Sequence, residues 1–139
     1  GLERLSLEHQ QQTVLNWMIP APAQGAIAVV KCEKDKTIAS AIEKINHRET
    51  EICTHVERTF LRTLEGGCSA PIGALATIKG DTIHFRGILL SPDGQQRLYL
   101  SKESPLSSYK DIGRKYAKEV LDQGGDEVMR KIKIQLGKS

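Results

Sequence analysis

Apolar positions along the chain follow two distinct rhythms. Ile52, Val56, Phe60 and Leu64 stand four apart with Leu61 beside them, which predicts a helix beginning near Arg48 with one apolar stripe. Glu51, His55, Arg58 and Arg62 fall mostly elsewhere on its circumference, and Gly66 stands where a left-handed helix cap is expected. The period then shortens. Residues 74–78, 82–90 and 97–102 read as three strands, with Gly80-Asp81 and Pro92-Asp93-Gly94 supplying the turns. In the middle strand Ile83, Phe85, Gly87 and Leu89 point one way, while His84, Arg86 and Ile88 point the other. Helical spacing returns over residues 107–123 through Ile112, Tyr116 and Val120. Gly124-Gly125 interrupts it, and Val128, Met129, Ile132 and Leu136 continue as a last helix. One sheet face is more apolar than the other. An α+β fold follows, a small three-stranded antiparallel sheet with helices packed on one face.

The first third is less regular. Leu2, Leu5, Val14 and Leu15 suggest a helical stretch over residues 1–18, ended by Pro20-Ala21-Pro22. After Gln24-Gly25, the run Ala26-Ile27-Ala28-Val29-Val30-Lys31-Cys32 reads as a buried strand. Asp35 is placed to cap a helix carrying Ile38, Ile42 and Ile45. The chain opens at Gly1 without Met and in mid-pattern, as expected of a piece cut from a longer protein.

Composition narrows the possible functions. A hydrophobic share of 39% with 27% charged residues is that of a globular chain. The longest apolar runs, residues 26–30 and 88–90, are far short of the ~20 residues a membrane helix needs. A net charge of +3 with only 4% aromatic residues argues against a nucleic-acid platform, which would carry a denser basic stripe and stacking rings. The basic tail of Arg130, Lys131, Lys133 and Lys138 reads as a solvated helix face. Cys32, Cys53 and Cys68 leave at least one thiol unpaired in a monomer and include no short-spaced pair, which fits a reducing compartment, most simply the cytoplasm.

Cys68 is the leading chemical candidate. It follows Gly66-Gly67, whose lack of side chains leaves room for a bulky group to approach the thiol, and precedes Pro71. The plain alternative is a small buried hydrophobe. A helix C-terminus presents negative dipole and would not activate a thiol, so any activation must come from other neighbours. Cys32, His47, Cys53 and His55 match no common zinc spacing, and no metal site is expected. Gln24-Gly25-Ala26, between a proline-bounded loop and a strand, could offer backbone groups to a ligand. Serine-nucleophile elbows, P-loops and dinucleotide fingerprints are absent.

Three segments resemble the porphobilinogen deaminases. Pro20-Ala21-Pro22-Ala23-Gln24-Gly25-Ala26 is similar to their PAPGQGA-type segment. Asn46-His47-Arg48-Glu49-Thr50 with Val56-Glu57-Arg58-Thr59-Phe60-Leu61 resembles their NHxxT…AERAFL helix. Leu64-Glu65-Gly66-Gly67-Cys68-Ser69-Ala70-Pro71-Ile72-Gly73 resembles their LEGGCxxPIG loop, the longest and most specific of the three. The likeness continues through the Pro92-Asp93-Gly94 turn and the Leu121…Gly124-Gly125 stretch. One departure is Ala23, where the family usually has glycine.

The resemblance implies a C-terminal portion of a three-domain transferase of tetrapyrrole and heme biosynthesis. Residues 1–25 would be the tail of the second domain and an interdomain crossover. Residues 26–46 would be a strand and helix returning to the first domain, and residues 47–139 the cofactor-attachment domain. Cys68 would carry a dipyrromethane through a thioether, as an anchor retained through turnover, with Gln24 and Gly25 bordering it. Four porphobilinogen units would be added to that primer with loss of ammonia, giving hydroxymethylbilane. The catalytic acid and the arginines that bind substrate carboxylates would lie in upstream domains of the same polypeptide. No catalytic residue is therefore expected in this stretch, which alone would be inactive. The implied partners are porphobilinogen and those upstream domains, not nucleic acid or membrane. The rival reading is a noncatalytic α/β binding or regulatory module in which Cys68 is structural.

Overall fold

The computed structural model describes residues 3–7, 13–35, 37–64, 70–135 and 137. Helix α1 spans Ala39–Ile45 and α2 spans Arg48–Thr63. Strands β1 (Ile72–Lys79), β2 (Thr82–Leu90) and β3 (Arg97–Pro105) form an antiparallel meander in the order β1-β2-β3. A short 3-10 turn leads into α3 (Tyr109–Val120). A five-residue π-type turn (Leu121–Gly125) then joins α3 to α4 (Asp126–Gln135).

The alternating strand pattern is realised as expected. Along β2 every second residue is buried, and Ile83, Phe85 and Leu89 enter the core with Gly87 between them. Against that face lie the α2 stripe of Ile52, Val56, Phe60 and Leu64, and Ile112, Tyr116 and Val120 of α3. Phe60 and Phe85 meet with ring centroids 5.1 Å apart, and Phe85 stacks on Tyr116 at the same distance. Tyr116 keeps its hydroxyl satisfied on Ser104 Oγ at 2.6 Å, tying α3 to β3.

Helices α2 and α3 pack closely because Gly113 faces α2 without a side chain. A Cβ there would stand 2.4 Å from the Val56 carbonyl oxygen. Gly124, at φ 99°, breaks the α3 direction so that α4 can fold back and bury Val128, Met129 and Ile132. The start of α2 is capped by His47, whose Nδ1 accepts from the Thr50 N–H.

Two expectations for the first third do not hold. Residues 26–32 form no strand. Ile27 and Val30 are 87% and 88% exposed, and no described strand pairs with this run. The proposed helix over residues 1–18 is reduced, among the described residues, to a 3-10 turn at Glu3–Leu5 and a turn at Asn16-Trp17. Polar residues 8–12 lie outside the described residues. The helix after Asp35 does form but starts late. Asp35 Oδ1 accepts from the Thr37 and Ile38 N–H groups in a side-chain turn, and α1 begins only at Ala39.

Candidate functional site

Cys68 and its glycines, including the expected cap at Gly66, lie outside the described residues, but both flanks are well fixed. Leu64 ends α2 with only 1% exposure, its N–H donating to the Phe60 carbonyl. Beyond the loop, the Ile72 N–H bonds the Ala70 carbonyl, and the Leu90 N–H bonds the Pro71 carbonyl as β1 begins. The described chain thus stops at a buried helix end and resumes at an edge strand.

The other two thiols are placed differently. Cys53 sits half-buried on α2. Burial pushes its pKa up, and the nearby carboxylates of Glu57 and Glu49 push it further the same way, so its thiolate is disfavoured. Cys32 is exposed in the irregular segment. Among the described residues no three His, Cys, Asp or Glu side chains gather as metal ligands. No described helix is long and apolar enough to cross a membrane.

The proline-bounded segment is docked along the outer edge of β1. The Ala74 N–H donates to the Pro20 carbonyl at 3.0 Å. Arg86 reaches from β2 to the Asn16 carbonyl at 2.8 Å. Gly73 permits the approach, since a Cβ there would stand 2.8 Å from the Ile19 carbonyl oxygen. The last glycine of the Pro71-Ile72-Gly73 sequence is therefore explained by packing. Ala23 holds the left-handed conformation at φ 60° and Gly25 at φ 88°. Glycine at position 23 would adopt that angle without strain. Gln24 closes the turn, its Oε1 accepting from the Ala21 N–H and its own N–H donating to the Ala21 carbonyl.

Sequence reasoning missed Glu57. It is 5% exposed, and its two carboxylate oxygens serve two distant segments. Oε2 accepts from the Ala23 N–H at 2.7 Å and Oε1 from the Ala76 N–H at 2.8 Å. Burial raises its pKa, and the two backbone donors pull it back only in part. A signal was present in the sequence. Glu57 is four residues from both Cys53 and Leu61, so it shares their half-buried helix flank, not the polar arc.

Around this carboxylate lies a cleft of about 540 Å³, lined by residues 23–26, the N-terminal half of α2 and the end of β1. Gln24 and Gly25 are on its wall. Their position relative to Cys68 lies outside the described residues. Ala76, to which Ala23 is tied through Glu57, is four strand residues, or about 13 Å, beyond the point where the loop enters β1.

Fold and site together define an α+β domain with a connecting segment docked along the outer edge of its sheet and held there by a buried glutamate. The profile described as "Porphobilinogen deaminase, C-terminal domain" matches residues 51–122. A porphobilinogen deaminase of Listeria innocua is 38% identical over 115 residues, covering 83% of this chain and 37% of its own length. Those of Nitrobacter hamburgensis and Thermus thermophilus are each 36% identical, over 129 and 136 residues. They cover 91% and 96% of this chain and 41% and 45% of their own lengths. The chain belongs to the porphobilinogen deaminase family and includes its C-terminal domain. It spans about two fifths of the length of these curated relatives.

Proposed function

We propose that this chain is the cofactor-carrying part of a hydroxymethylbilane synthase, a transferase of tetrapyrrole and heme biosynthesis with porphobilinogen as substrate. The observation that carries the reading is the family match over residues 51–122, with the ten-residue Leu64-to-Gly73 motif inside it. Cys68 is the attachment residue. A single thiol is all a thioether requires, and Cys53 is unsuited because burial and two carboxylates hold it protonated. The dipyrromethane supplies a primer onto which four porphobilinogen units are added, with ammonia lost at each addition and water releasing hydroxymethylbilane.

The residues of this chain hold and orient; they do not transfer protons. Leu64 and Ile72, which bracket the Cys68 segment in sequence, are both buried in the core. Gln24 and Gly25, on the wall of the cleft beside Glu57, border the cofactor. The acid and the carboxylate-binding arginines belong to upstream domains, so the 139-residue chain alone is inactive. Residues 1–25 serve as second-domain tail and crossover, 26–46 return to the first domain, and 47–139 form the attachment domain. Exposed Ile27, Val29 and Val30 are consistent with a segment whose packing partners lie elsewhere in the polypeptide. The free thiols of Cys32 and Cys53 favour a cytoplasmic protein.

The deciding experiment is intact-mass measurement of the full-length protein with peptide mapping across Cys68. A mass excess of two linked pyrroles on Cys68 is expected. A bare Cys68 in folded full-length protein, still bare after incubation with porphobilinogen, would overturn the reading in favour of a noncatalytic binding module.

A further inference from the structure

We infer that Glu57 is a positioning residue for this reaction: its carboxylate clamps the crossover to the attachment domain and so sets where Gln24 and Gly25 stand. The inference rests on the synthase reading above. It starts from an edge-strand problem. β1 is an outer strand, and the outward N–H groups of Ala74 and Ala76 need acceptors. Pro20 supplies one through its carbonyl, and Glu57 Oε1 supplies the other. One oxygen would suffice for that task. The second oxygen is spent on the Ala23 N–H, 34 residues away in sequence.

The position of this bond gives it its effect. Asn16, Ile19, Pro20 and Ala23 all touch the domain through the contacts described above, whereas the backbone bonds of residues 26–46 are local, as between the Asp35 N–H and the Cys32 carbonyl. Among the described residues Ala23 thus makes the last hydrogen bond to the domain before the chain departs, and Gln24 is the next residue. With Ala23 and Gly25 both at positive φ, the turn between them is sharp, and a shift of Ala23 passes directly to Gln24. Glutamine cannot replace the clamp. Its amide has one acceptor oxygen, and its NH2 group would face a backbone N–H.

The test uses the full-length protein with its primer attached. Wild type and Glu57→Gln are compared by intact mass, by kcat and KM for porphobilinogen well below the melting temperature, and by amide exchange. Expected for Glu57→Gln are an intact primer mass on Cys68, kcat lower by about tenfold or more from misplacement of the wall beside the growing chain, and little change in KM. Exchange should accelerate in the peptide spanning residues 20–26 and stay unchanged in β2 and β3. Wild-type kcat in the variant would overturn the inference, as would a loss matching only its unfolded fraction. A folded variant that carries no primer would also overturn it, because the clamp is assigned to turnover and not to attachment. Should Glu57→Gln fail to fold, Glu57→Asp, one methylene shorter with the charge kept, is read by the same criteria. A wild-type protein with no primer and no consumption of porphobilinogen would sink the synthase reading itself. An active wild type with an unaffected variant would sink only the role of Glu57.

Discussion

Residues 48–135 and residues 13–46 draw on the same apolar residue types yet end in opposite states. In the later region Val56, Phe60, Ile83, Phe85 and Leu89 are at most 1% exposed, while in the earlier one Val14, Ile27 and Val30 are 79–88% exposed. The difference is not one of propensity. Ala26–Val30 is as β-prone as Ile72–Lys79, but β1 has β2 beside it and α2 beneath it, and residues 26–30 have neither. Apolar patterning reports what a segment can bury. Whether it does so depends on a complementary surface within reach.

The sharpest way to break the contrast is inside the ring cluster. Phe60→Ala should destabilise the domain by about 3–5 kcal/mol, because Phe60 is fully buried against Phe85 and Gly87 of β2. Urea unfolding followed by far-UV circular dichroism would measure it, and a cost under 1 kcal/mol would contradict the packing described. Gly113→Ala should come next, at about 1–3 kcal/mol, since the new methyl meets backbone and cannot be accommodated by a rotamer change. Transferring polar character to the first region should do far less. Val30→Ser in the 139-residue chain should change stability by about 0.5 kcal/mol or less. In the full-length protein the same change should cost several times more if residues 26–32 pair with the first domain. Equal effects in both contexts would refute that domain assignment.

Two smaller effects concern the junction between the regions. Glu57 has a raised pKa in the folded state, so folding favours its protonated form. On this account stability is highest below the ordinary glutamate pKa and declines as pH rises through the higher folded value, because the ionised carboxylate keeps its two backbone bonds but carries the cost of burial. Glu57→Gln should flatten the stability-against-pH curve in that window, measured by thermal melts at a series of pH values; an unchanged slope would show that Glu57 does not titrate abnormally. Ala23→Gly should stabilise by up to about 1 kcal/mol, relief of left-handed strain being offset in part by greater freedom of the unfolded chain.

The sheet and its helices were legible because period and burial agree there. Alternation in residues 82–90 and the four-residue step from Ile52 to Leu64 each admit one arrangement. Residues 26–32 are irregular in this chain, an outcome the sequence could not signal because a short apolar run carries no information about its partner. Glu57 escaped notice for a different reason. Its inward orientation depends on a backbone N–H from residue 23 arriving at the helix flank, a tertiary event with only a faint local trace in Cys53 and Leu61. The loop motif identified a chemistry that its own spacing could not have supplied, since glycine-flanked cysteines serve many ends.

The docked segment along β1 has a consequence for the behaviour of the protein in a crowded solution. An outer strand with free amides is an invitation to sheet extension by another molecule. Here the Pro20 carbonyl and the Glu57 carboxylate already occupy the Ala74 and Ala76 amides, and proline cannot donate to a newcomer. The crossover therefore acts as a built-in stopper, and a protein in which it was pulled away would be the one prone to polymerise through β1.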